Sequence, residues 1–172
     1  NIILGLISVQ AVTAYGVYYK IQQFVFFAAF GMNNAMIPII GFNYGRQSKI
    51  RVKQGIRLGM FYTLIIMLIG ALVLQLFSAQ ISGVFAVSEE TQQLCILAIK
   101  IITVGYLFVG ANIAYQGIFQ ALGYGISSLV ISLLRLIIVA LPLAWLFTFS
   151  DSAEILVWTA FPIAEAAAFI FA

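Results

Sequence analysis

Histidine is absent from this 172-residue chain, cysteine occurs once, and charged side chains make up only 8% of it. Against 64% hydrophobic residues, so little charge cannot supply the polar surface that a soluble domain of this length needs. The chain is expected to be an integral membrane protein. The single Cys95 lies in an apolar helical run, which excludes an intrachain disulfide and a thiolate metal cluster and leaves a small buried hydrophobe. No nucleophile with a neighbouring base, phosphate-binding glycine loop or metal-ligand cluster occurs, so neither enzyme chemistry nor a bound cofactor has support. The chain opens at Asn1 without a methionine, and 2–9 is shorter than a bilayer of about 30 Å requires and lacks the basic start of a signal peptide. It also stops inside an apolar run, at 169–172. The expectation is a piece of a longer protein, with 1–10 the residual end of a preceding helix.

The few charges present are unevenly placed. Of eight cations, Arg46, Lys49, Arg51, Lys53 and Arg57 fall in one short polar gap between long apolar segments. Loops beside membrane helices keep excess Lys and Arg on the cytoplasmic side, so loop 45–57 is expected to be cytoplasmic. The net charge of +3 therefore reports topology rather than a nucleic-acid partner.

A membrane helix needs about 20 apolar residues, and polar interruptions divide the chain into spans at 13–41, 55–77, 93–122, 126–149 and 153–172. The fold class expected is an all-α membrane bundle of five helices in one lobe. The gap 78–92 carries Glu89 and Glu90 and no cation, which suits the outer side. It reads as a short interfacial helix followed by an N-cap at Ser88. The third gap is a tight Gly123–Tyr124–Gly125 turn, and the fourth, around 150–152, contributes Asp151. Gly45 is the expected C′ residue of the first long helix. Pro38, Pro142 and Pro162 lie inside apolar segments, where kinks are tolerated if the freed carbonyls find partners.

Polar side chains at membrane depth face water or other helices, and four groups qualify. In the first span Lys20, Gln23 and Asn34 fall within about 60° of one another, while Gln22 and Asn33 share the opposite face. Lys20 either lines a cavity or snorkels to the outer headgroups, and the amides either line that cavity or join helices. In the third span Asn112, Gln116 and Gln120 recur at i, i+4 and i+8 with Tyr115 and Phe119 beside them, a stripe suited to an amphipathic organic solute or to interhelical bonding. In the fourth, Ser128, Ser132 and Arg135 align, with Arg135 about two and a half turns inside the span. In the last, Glu165 sits beyond Pro162 and Trp158; it either carries a proton or pairs with Arg135, and pairing is favoured.

In order along the chain, 11–47 (AVTAYGVYYKIQQFVFFAAFGMNNAMIPIIGFNYGRQ), 115–125 (YQGIFQALGYG), Leu134-Arg135 with Leu141-Pro142-Leu143, and 157–165 (VWTAFPIAE) resemble segments of the multidrug and toxic compound extrusion (MATE) transporters. They are similar to that family's eighth helix with its NYG loop entry, the end of its tenth, its eleventh and its twelfth. The resemblance implies the C-terminal half of a twelve-helix, two-lobe transporter, with the missing N-terminal lobe as its partner within the same chain. It further implies export of organic, often cationic compounds by alternating access, driven by sodium or proton influx, from a bacterial inner membrane. Some members hold the coupling cation on a carboxylate of the tenth helix; 94–122 contains none, which shifts the coupling site to the missing lobe. Substrate-cavity candidates are then Lys20, Gln23, Asn34, Asn112, Tyr115, Gln116 and Gln120. The alternatives are a flippase of lipid-linked oligosaccharides in the same superfamily and a non-transporting membrane scaffold.

Overall fold

A computed structural model describes residues 2–150 and 152–171, and every element in it is helical. A short turn, α1 (Ile2–Gly5), precedes two long helices, α2 (Val9–Gly45) and α3 (Lys49–Gly83). The next span runs as α4 (Glu89–Ile102), a 3₁₀ turn (Thr103–Gly105) and α5 (Tyr106–Ala121). The fourth is α6 (Gly125–Leu133), a π-helical segment (Leu134–Ala140) and α7 (Leu141–Phe147), and the fifth is α8 (Ala153–Phe171). Among the described residues, five helical stretches are thus long and apolar enough to cross a membrane. Asn1, Asp151 and Ala172 lie outside the described residues, so the expected contribution of Asp151 to the fourth gap does too.

The ends of these helices follow from local chemistry. Ser8 accepts the Ala11 N–H at 3.1 Å, and Ser88 accepts the Thr91 N–H at 3.4 Å, the N-cap expected there. Glu89 and Glu90 occupy the first turn that follows. Gly45 is not the C′ residue of α2. The helix runs through it, and the left-handed position falls on Gln47 (φ 56°), whose N–H bonds to the Tyr44 carbonyl while Ser48 N–H reaches Asn43. The same pair of bonds closes α5 on Gly123 (φ 85°), where a glycine does stand at the left-handed position. Residues 78–83 form a short helical piece set off from the long part of α3 by a kink at Phe77 (φ −113°, ψ 19°), where the short helix was expected.

The α4–α5 span is the most enclosed and Gly125–Phe147 the least, so the bundle is built around α4–α5. Its core joins α2, α3, α4, α5 and α8, with Trp158, Tyr18 and Tyr106 fully buried and Cys95 buried as a small apolar group. Tyr18 and Tyr106 hydroxyls meet at 3.4 Å between α2 and α5. Small residues set the helix spacing: a methyl on Gly70 of α3 would collide with Val25 of α2, and one on Gly105 would come within 2.8 Å of Pro162 in α8. That contact explains the 3₁₀ turn. Pro162 packs against Gly105, Thr103 Oγ1 donates back to the Ile99 carbonyl at 2.7 Å, and Gln75 of α3 donates to the Lys100 carbonyl at 2.8 Å.

Pro142 has a matching effect. It has no N–H and its ring crowds the carbonyl four residues back, so the preceding turn widens: Leu141 N–H bonds to Leu136, five residues earlier, and 134–140 is π-helical. Arg135 lies in that segment.

Candidate functional site

Three helices bring their polar residues together inside the bundle. Asn112 of α5 is fully buried and donates to Glu165 of α8 twice, to the carboxylate Oε2 at 2.9 Å and to the backbone carbonyl at 3.0 Å. Arg135, from the π segment, approaches the other carboxylate oxygen with Nε–Oε1 at 3.5 Å. Both charged side chains are 15% exposed, so neither is left to hydrocarbon nor freely hydrated. Among the described residues this is the one ion pair, and it is the Arg135–Glu165 partnership expected from their positions in consecutive spans.

The amide stripe on α5 divides along its length. Gln120 Nε2 donates to Ser128 Oγ of α6 at 3.0 Å, and Ser132 Oγ donates to the Ser128 carbonyl at 3.2 Å. Toward the stripe's other end, Asn112 Oδ1 and Gln116 Nε2 are buried without a partner among the described residues. A buried amide atom of this kind favours a polar ligand, water or a moved side chain over apolar packing. Tyr115 turns another way: half-buried, its ring lies 6.2 Å from that of Phe169, and both line a groove of about 370 Å³ with Met60, Leu64 and Phe108.

On α2, Lys20 and Asn34 are exposed and Gln23 is half-buried. Asn33, next in sequence to Asn34, is buried and packs on Gly117 of α5, where a methyl would collide with its amide. The two sets of substrate-cavity candidates therefore do not share a wall: α2 turns Asn33 toward α5 and leaves Lys20 and Asn34 exposed, while Asn112 lies inside the bundle, bonded to α8. The physical reason is the 100° step between consecutive helical residues, which separates neighbours 33 and 34.

Sequence reasoning missed Gln75, whose amide bonds Thr103 Oγ1 at 2.7 Å as well as the Lys100 carbonyl. Its signal was the lone amide of the second span, set in the apolar run that follows Thr63. It also missed the pairing of Asn33 with Gly117, which leaves no mark in either segment alone. A cavity of about 580 Å³ between α1, α2, the π segment and α8 is lined by apolar side chains and Tyr15, among them Ile3, Ile137, Val157 and Phe161, with no member of the polar cluster.

Comparison with known proteins bears on the fold and the family. The profile of the MatE family matches residues 1–146. The chain is 26% identical over 151 residues to a FAD transporter of Shewanella oneidensis, covering 88% of this chain and 33% of the relative. It is 28% identical over 158 residues to the probable multidrug resistance protein YoeA of Bacillus subtilis, covering 91% and 34%. The chain thus spans about a third of the length of these relatives. Its fold superposes on the Vibrio cholerae MATE transporter VcmN in the bent form with a TM-score of 0.85 at 25% identity, covering 98% of this chain and 39% of that one. The outward-facing structure of a MATE family transporter of the MOP superfamily gives a TM-score of 0.88 at 19% identity, covering 94% and 37%. The match over residues 1–146, carried by a five-span bundle of the same fold, means that the chain belongs to the MatE family.

Proposed function

We propose that this chain is the C-terminal lobe of a secondary active transporter that exports organic drugs or toxic compounds, often cations, by alternating access. The observation that carries this reading is the open face of α2. A 37-residue membrane helix leaves Lys20 and Asn34 exposed on the side turned away from its own bundle, and polar groups there call for water or a second polar wall rather than lipid. In this reading the missing N-terminal lobe supplies that wall, Gln23 stands at its edge, Gln116 supports the lobe from within, and Gln120, exposed, links α5 to Ser128 of α6.

Coupling to sodium or proton influx belongs to the missing lobe. Stretch 94–122 carries no carboxylate, and Glu165 is already held by Arg135 and Asn112. The cation loop 45–57 sets the inner, cytoplasmic face of a cell membrane. One relative carries the name FAD transporter, and Lys20 meets no carboxylate among the described residues, so an acidic aromatic substrate is the second class to try.

The test is transport by the full-length protein in proteoliposomes, with a fluorescent organic cation and FAD as alternative substrates, under an imposed sodium or proton gradient. Gradient-dependent movement of either supports the reading. Absence of gradient-driven flux of both, from protein shown to be folded, overturns it.

A further inference from the structure

Five of the eight cations cluster at the α2–α3 junction. None of Arg46, Lys49, Arg51, Lys53 and Arg57 meets a carboxylate, the one ion pair among the described residues being Arg135–Glu165. Lys49, Lys53 and Arg57 recur at i, i+4 and i+8, so they share one stripe of α3, and all three are exposed. Two clefts open along it. One, of about 650 Å³, is lined by Lys49 and Lys53 together with Tyr44, Val52 and Leu122; the other, of about 570 Å³, by Gln54, Arg57, Leu58 and Phe61. Each combines cationic with apolar lining.

Depth along the helix narrows what fits. The apolar run of α3 starts at Leu58, so its first nine residues extend about 13 Å beyond the hydrocarbon, through the headgroup layer. Exposed Phe42 and Tyr44 mark the same level on α2, and the Arg46 guanidinium rests 5.5 Å from the Phe42 ring. A molecule at that depth has a polar head and an apolar tail. With several cations and no carboxylate, the junction complements a headgroup of net negative charge and offers nothing to the ammonium of a zwitterionic one.

We propose that this junction binds an acidic phospholipid of the adjoining leaflet, its phosphate on Lys49 and Lys53 and the first methylenes of its acyl chains against Val52 and Leu122. Because Leu122 follows the end of α5, the bound lipid ties α2, α3 and α5 together at their inner ends. The inference needs only the membrane placement of the lobe and stands whether or not the protein transports drugs.

The full-length protein in nanodiscs of equal phosphatidylglycerol and phosphatidylcholine, followed by native mass spectrometry of the lipids it retains, tests this directly. Wild type retains phosphatidylglycerol preferentially, and Lys49→Gln with Lys53→Gln lowers that preference about tenfold. Lys49→Arg with Lys53→Arg keeps it, and Lys100→Gln, which removes an exposed cation on α4, leaves it unchanged. Raising the salt concentration weakens the wild-type preference, a readout that needs no variant to fold. Equal retention of the two lipids by wild type, an unchanged preference in the double glutamine variant, or an equal fall in Lys100→Gln overturns the proposal.

Discussion

Glu165 shows how this helical bundle keeps a carboxylate inside a membrane. An isolated charge there is costly, and Glu165 meets that cost with one cation and one amide, each from a different helix. Removing one partner strands the other. Arg135→Leu is expected to destabilise the full-length protein by about 3 kcal/mol, and Arg135→Leu with Glu165→Leu by clearly less than the sum of the single changes. Thermal unfolding of the purified variants in detergent measures both, and strict additivity would show that the pair is not coupled. A second residue-scale test lies at the α2–α5 contact. Gly117→Ala forces a methyl against the Asn33 amide and should cost about 1–3 kcal/mol, recovered in part by adding Asn33→Ala. Gly59→Ala meets only the flexible Met36 side chain and should cost less than Gly117→Ala in the same unfolding experiment.

Among the elements, the π segment is the one that positions chemistry. Pro142 widens the turn before it, and that turn carries Arg135 to Glu165. Pro142→Ala permits an ordinary α-helical turn and rotates Arg135 relative to α7. The expected result is loss of the Arg135–Glu165 coupling, measured by repeating the double-mutant cycle in the Pro142→Ala background. An unchanged coupling energy would separate the proline from the pair. This element also shows where the sequence was legible. Two opposite charges in consecutive apolar runs announce their own pairing, because neither is stable alone in hydrocarbon. The π register does not announce itself, since a proline signals a disturbed helix without saying whether it bends or widens. Caps behave similarly. Ser88 before two glutamates is a local signal and is used, whereas the end of α2 depends on which carbonyls the loop reaches, and Gln47 takes the left-handed place with Gly45 only two residues away. Contacts such as Asn33 with Gly117 are set by tertiary packing and have no signature within one segment.

At the scale of the whole molecule, the long apolar runs and the single basic gap made the bundle and its expected orientation readable, while the division of the polar residues between the interior and the open face was not. Orientation is checked by Gln54→Cys in the full-length protein with every native cysteine, Cys95 included, replaced by alanine: a membrane-impermeant maleimide should label it in inside-out vesicles and not in intact cells. The proposed transport requires that the open face of α2 meet a water-filled path between two lobes. Neighbouring residues test it most directly, because Asn33 is 6% exposed and buried against α5 while Asn34 is on the open face. In the full-length protein with every native cysteine, Cys95 included, replaced by alanine and reconstituted in lipid, Asn34→Cys should react with a water-soluble thiol reagent and be protected by a transported substrate, with Asn33→Cys unreactive. An Asn34→Cys thiol that reacts only with a lipid-soluble reagent would place that face against the bilayer and contradict the account.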